Sequence, residues 1–179
     1  MAKKDRLVID KVFILLGLIA TVLLVVIGSL AWKGYDFASS QVKTELKAQQ
    51  IYFPAKGSPA LDPKKYPDLQ KYAGQQVDDG PKAKAYANGY IGRHLEDVAD
   101  GKTYAQVSSA ALKDPDNQQL QQQKQSLFQG ETLRGLLLGN GYGFWTFGMI
   151  AKYVAVAAFA ASGAMAILMF LGLRHLRKG

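Results

Sequence analysis

Val12-Phe-Ile-Leu-Leu-Gly-Leu-Ile-Ala-Thr-Val-Leu-Leu-Val-Val-Ile-Gly-Ser-Leu-Ala-Trp32 is an uncharged run of 21 residues, and it decides the fold. As a helix it measures about 31 Å at ~1.5 Å rise per residue, which matches the ~30 Å hydrocarbon core of a bilayer. A second run of the same length and character extends from Tyr153 to Leu173. The chain is therefore expected to be an all-α membrane protein. Two transmembrane helices, 12–32 and 153–173, would carry a small helical extracytoplasmic domain, 33–152, inserted between them.

The flanks set the expected orientation. Lys3, Lys4, Arg6 and Lys11 precede the first run, and Arg174, Arg177 and Lys178 follow the second. The positive-inside rule places both short basic tails, 1–11 and 174–179, in the cytoplasm and the long middle segment outside. A cleaved signal peptide would share the basic start, but its apolar region has about 7–15 residues and ends at a small-residue cleavage site. Ser29-Leu30-Ala31-Trp32 offers no such site, so an uncleaved anchor is expected. Of the formal net charge of +8, the tails contribute +5 and leave +3 for the middle. The basic balance is thus mostly a feature of tails facing an anionic leaflet, with membrane lipids as partners and nucleic acid not expected. The absence of cysteine excludes disulfides and thiolate metal sites.

Trp32 and Trp145, the only tryptophans, fall near the expected outer boundary with Tyr35, Tyr142, Phe144, Phe147 and Tyr153, as an aromatic interface belt would. Lys152 among them has two readings: a side chain that snorkels to the headgroups, or a buried lysine that meets a partner or ion pathway. The second run carries small residues four apart, Ala157 with Ala161, Ala160 with Ala164 and Ser162 with Ala166, with Gly163 among them. The first supplies Gly17, Thr21 and Gly28. Small residues let helix backbones approach closely. The two spans would then pack on each other, or on the helix of another membrane protein or a second copy.

Outside, Ala38, Val42 and Leu46 keep helical spacing and extend the first helix to about Gln50. Pro54, Pro59, Pro63 and Pro67 with Gly57 make 53–67 a loop or extended wrap. Asp79-Gly80-Pro81 reads as a helix start with proline at its first position, and Ala83, Ala87, Ile91, Leu95 and Val98 form its apolar stripe. Gly101 ends that helix. Thr103 and Gln106 fit a capping box for a helix through about Leu112, and Asp114-Pro115 reads as the start of another. The Gln-rich stretch 118–125, with Leu120, Leu127 and Phe128 nearby, reads as a helix with one polar face, disorder being its alternative. Glu131 to Leu138 continues that helix, with a kink or break expected at Gly139–Gly143. No alternating strand pattern appears.

The chemistry is sparse. His94 and His175 are the only histidines, and His175 lies in the basic tail. His94 with Asp97 is a weak metal or acid–base candidate, since a site needs three or four ligands and Asp100 falls off their face. Gly139-x-Gly141-x-Gly143 lacks the preceding strand and the lysine of a phosphate loop. Ser108, Ser109 and Ser126 have no nucleophile-elbow context, so serine hydrolysis is not expected. No catalytic residue, metal site or cofactor is expected.

Ile51-Tyr52-Phe53-Pro54, Tyr72-Ala73-Gly74-Gln75-Gln76-Val77, Ala83-Lys84-Ala85-Tyr86-Ala87, Gly101-Lys102-Thr103-Tyr104 and Gly130-Glu131-Thr132-Leu133-Arg134-Gly135-Leu136-Leu137, with Phe144-Trp145, resemble a pattern in small two-span actinobacterial membrane proteins. The resemblance covers nearly the whole chain and implies a bacterial plasma-membrane location. Members are sometimes labelled aromatic ring-opening dioxygenase of the LigA type, which implies iron held by histidines and a carboxylate. One external histidine does not supply that set. The expectation is therefore a non-enzymatic accessory or assembly component of a membrane or envelope complex. A sensory or ligand-binding cap is the alternative, and a metal-dependent enzyme the third.

Overall fold

The computed structural model describes residues 3–178, with side chains from Leu7 to Arg177, so those of the tail cations Lys3, Lys4, Arg6 and Lys178 lie outside the described set. The described chain is all-helical, and among the described residues the only β-type pairing is one isolated antiparallel bridge, Tyr52 with Gln76. The helices are α1 (Lys3–Ala48), α2 (Gly80–Lys84), α3 (Arg93–Val98), α4 (Tyr104–Lys113), α5 (Gln118–Leu136) and α6 (Phe144–Lys178). π-Helical turns, Ala85–Gly92 and Leu137–Gly143, join α2 to α3 and α5 to α6 without a break. The chain forms two compact units, one from the residues up to Phe37 and from Phe147 onward, the other from Ala38–Thr146.

The first unit is a helix pair. Both helices are long and apolar enough to cross a membrane, and only 11% and 17% of their most apolar stretches are buried. A core helix of a water-soluble protein would bury that surface; exposed in water it would far exceed the few hundred Å² that monomers tolerate. The seam runs along Gly17, Thr21 and Gly28 of α1 and Ala155, Ala158, Ser162 and Met169 of α6. A Cβ on Gly17 would stand 2.9 Å from Met169 Cγ, and one on Gly28 would stand 2.8 Å from the Phe159 ring. Thr21 Oγ1 donates to the Gly17 carbonyl at 2.7 Å, and Ser162 Oγ donates across the seam to the Thr21 carbonyl at 3.5 Å. These two hydroxyls thus bond to backbone carbonyls instead of facing apolar surroundings unpaired.

The second unit is a helical domain around an aromatic-rich core. Ala38, Val42 and Leu46 of α1 are buried in it with Phe53, Leu61, Leu69, Val77, Val107, Leu127 and Leu137. Phe53 stacks on Tyr72 at 5.1 Å and meets Tyr86 edge-on at 5.1 Å; Tyr86 continues to Tyr90 at 5.0 Å, and Tyr90 to Tyr66 at 5.5 Å. Each buried large side chain contributes about 1.5–3 kcal/mol of transfer free energy, and these rings hold the proline-containing segment 53–67 onto the helices. Burial raises the Tyr86 and Tyr90 phenols above their ordinary range, because a buried phenolate would lose its hydration.

Three local expectations are corrected. Pro81 is the second residue of α2, not the first, because Gly80 opens the helix under the Asp79 cap. The fourth helix starts at Gln118 rather than at Asp114-Pro115: the Asn117 side chain accepts from Leu120 N at 3.1 Å, while Asp114 accepts from Asn117 Nδ2. Val98 is only half-buried, and the stripe continues to Ala99, which is 1% exposed. At Gly139–Gly143, where a kink or break is expected, the helix widens into a π-turn and continues. The Thr103–Gln106 capping box is present with both reciprocal bonds. The Gln-rich stretch is helical; Gln121 donates to the Ala111 carbonyl at 3.0 Å and Gln123 to the Val98 carbonyl at 2.9 Å, tying α5 to the ends of α4 and α3.

Candidate functional site

The π-turns follow from the spacing of buried residues. Ala83, Ala87, Ile91, Leu95 and Ala99 are all buried and each is four residues from the next. At 3.6 residues per turn such a stripe drifts by about 40° per step, so an α-helix would carry it off the core within two turns. Widening the turn to i→i+5 pairing over Ala85–Gly92 holds the stripe on one face. Leu133, Leu137, Gly141 and Trp145 repeat the four-residue step through the second π-turn. There a Cβ on Gly141 would lie 2.9 Å from Ala83 Cβ, so the second wide turn packs on α2 where only glycine leaves room.

The first π-turn forms one wall of an open groove of about 560 Å³ in the helical domain. Asn88 and Gly92 stand on that wall, Leu95 and Glu96 on α3, Lys102 and Thr103 in the following turn, and Leu127, Glu131 and Arg134 on α5. Arg134 organises the wall: Nη1 donates to both Glu131 carboxylate oxygens at 3.0 Å, and Nη2 donates to Asn88 Oδ1 at 3.2 Å. Its guanidinium lies over Gly92, and Nε is buried without a partner.

A shallower depression on the other side of Asn88 carries Asp68, Lys84 and Arg93. Arg93 forks onto Asp68 at 2.7 and 3.1 Å, which holds the Asp68 carboxyl below its ordinary range and raises the guanidinium further. Lys82 does the same for Asp78 at 2.6 Å. Lys84 lies over the Tyr142 ring at 4.5 Å and hydrogen-bonds its hydroxyl, which lowers that phenol.

His94 and Asp97 are exposed on α3, and Asp97 pairs with Lys65. Among the described residues no three histidine or carboxylate side chains gather as a metal centre requires. His175 and Asp10 line a crevice of about 210 Å³ between the two helices of the first unit, with Met165 and Met169.

Of the seven residues named for helix packing, Gly17, Thr21 and Gly28 lie on the seam. Ala157, Ala161, Gly163 and Ala164 are exposed and take no part in it. Between Phe159 and Ile167 every exposed residue is alanine or glycine. In the helix pair, Trp32 meets Tyr35 edge-on at 5.7 Å, and half-buried Lys152 lies over the Tyr35 ring at 5.0 Å. Phe147 and Tyr153 are exposed. Trp145 packs within the helical domain against Gly80, where a Cβ would stand 2.4 Å from its ring, and stacks on Tyr142 at 6.0 Å.

The groove was not foreseen from the sequence. The four-residue spacing of the stripe signals only the π-turn that forms one of its walls, and a 3.6-residue reading passes over it. Comparisons with protein-family models, curated proteins and solved structures give no significant match.

Proposed function

We propose that the chain is a non-enzymatic integral protein of the bacterial plasma membrane, with both termini cytoplasmic and the helical domain outside. It acts as an accessory or assembly component that docks its second span on the helix of a partner membrane protein. The observation that carries this reading is the exposed run Ala160, Ala161, Gly163, Ala164 and Ala166. Lipid tails are as apolar as leucine and give small residues no advantage, whereas a second helix gains close packing from them. The orientation rests on the basic flanks, with Lys11 before the first span and Arg174 and Arg177 after the second.

Purification in mild detergent with quantitative mass spectrometry tests it. A partner membrane protein recovered in fixed proportion, and lost on joint Ala160→Leu and Ala164→Leu substitution, is the expected result. Recovery of the chain alone, as a monomer, contradicts it.

A further inference from the structure

We propose that the groove beside the Ala85–Gly92 turn is a binding site for a neutral oligosaccharide. Its volume of about 560 Å³ lies in the range of ligand sites. Its rim is built from exposed residues, among them Asn88, Glu96, Lys102 and Tyr104, so it suits an extended ligand that keeps one side in water.

The charges choose the ligand class. Lys102 and Arg134 are balanced by Glu96 and Glu131, and Arg134 is already held by Glu131, so neither an anion nor a cation is favoured. What remains is a mixture of donors and acceptors: the Asn88 amide nitrogen, the Lys102 ammonium and the Glu96 carboxylate. A polyhydroxylated ligand satisfies both kinds at once.

The apolar surfaces narrow it further. Tyr104 is 39% exposed at the rim, and its ring is braced by Phe128 at 6.0 Å and 47°. A braced, half-exposed ring is a flat platform for the C–H face of a pyranose, with the ring's hydroxyl edge turned to the polar wall. Leu95 and Leu127 line the groove but are 5% and 2% exposed, so the exposed Tyr104 ring carries the apolar contact. A peptide is less well served: among the described residues there is no strand edge to extend and no deep apolar pocket here for an anchor side chain. This site is independent of the span surface proposed above, and either can fail alone.

Saturation-transfer NMR on the full chain in nanodiscs tests it, with chitotetraose, cellotetraose and tetraglycine as probes. Chitotetraose and cellotetraose are both expected to bind, and tetraglycine not at all. Tyr104→Ala should weaken chitotetraose binding by about tenfold, with Tyr104→Phe near the parent, since the ring supplies the contact. Lys102→Ala, on an exposed side chain, should also weaken it with the fold unchanged by circular dichroism. No transfer from either saccharide at millimolar concentration overturns the proposal. So does transfer unchanged by Tyr104→Ala, or binding of the peptide in place of the sugars.

Discussion

In the first apolar helix the small residues Gly17, Thr21 and Gly28 face the seam while Leu18, Ile19, Val22, Leu23, Val25 and Val26 are exposed. In the second, Ala155, Ala158 and Ser162 serve the seam, and a further set, Ala160, Ala161, Gly163, Ala164 and Ala166, is exposed. One helix exposes large side chains along its span, and the other exposes, between Phe159 and Ile167, a smooth stretch of small ones with large residues on either side. The difference teaches that small residues in a span are not one signal: those that meet Met169 and Phe159 make the pair, and those left over are the surface on which the proposed docking rests.

The helical domain supplies the reference for what a glycine contact is worth. Gly80→Ala would drive a Cβ against Trp145 at 2.4 Å, and the ring is held by Tyr142 and the core. A loss of about 1–3 kcal/mol of domain stability is expected, near the top of the overpacking range, read by chemical denaturation. Gly28→Leu should act on the seam in the same way against Phe159, whose ring is partly exposed and yields more easily, so the loss falls nearer the lower end of about 1–3 kcal/mol. Its readout is the disulfide yield between Thr21→Cys and Ser162→Cys, high in the parent and reduced by the leucine. Ala161→Leu, the outward counterpart, should leave that yield unchanged; a drop equal to that of Gly28→Leu would erase the distinction between the two faces.

A smaller effect comes from the ion pairs of the domain. The Asp68 and Asp78 carboxyls are held below their ordinary value by Arg93 and Lys82. A lowered folded-state pKa stabilises at pH above the ordinary aspartate value and is lost as pH falls through the lowered one. Thermal stability should therefore fall below about pH 4. Asp78→Asn should remove about 0.5–1 kcal/mol at neutral pH, and Asp68→Asn less, since that pair is more exposed. Stability that stays flat down to pH 2 in the parent would contradict the assignment.

Much of the architecture was legible in the residues. The 21-residue runs, the Thr103–Gln106 box and the Ala38–Val42–Leu46 continuation each carry a local rule that tertiary packing did not override. The packing of Trp145 on Gly80, 65 positions away, is a contact that no local pattern announces. The exposed alanines were read together with the seam because spacing alone does not say which face meets the neighbour. The groove escaped for a different reason. Its walls come from four segments, and the bond from Arg134 to Asn88 spans 46 residues, a pairing that no local pattern announces.

The decisive measurement is site-specific photocrosslinking in native membranes, with the reactive group placed at Ala161 in one variant and at Leu23 in another. Both positions are exposed at mid-span, one on the smooth face and one on the large-residue face. A discrete protein adduct from Ala161, abolished by joint Ala160→Leu and Ala164→Leu substitution, with only lipid adducts from Leu23, is the predicted result. Lipid adducts alone from both positions would contradict it.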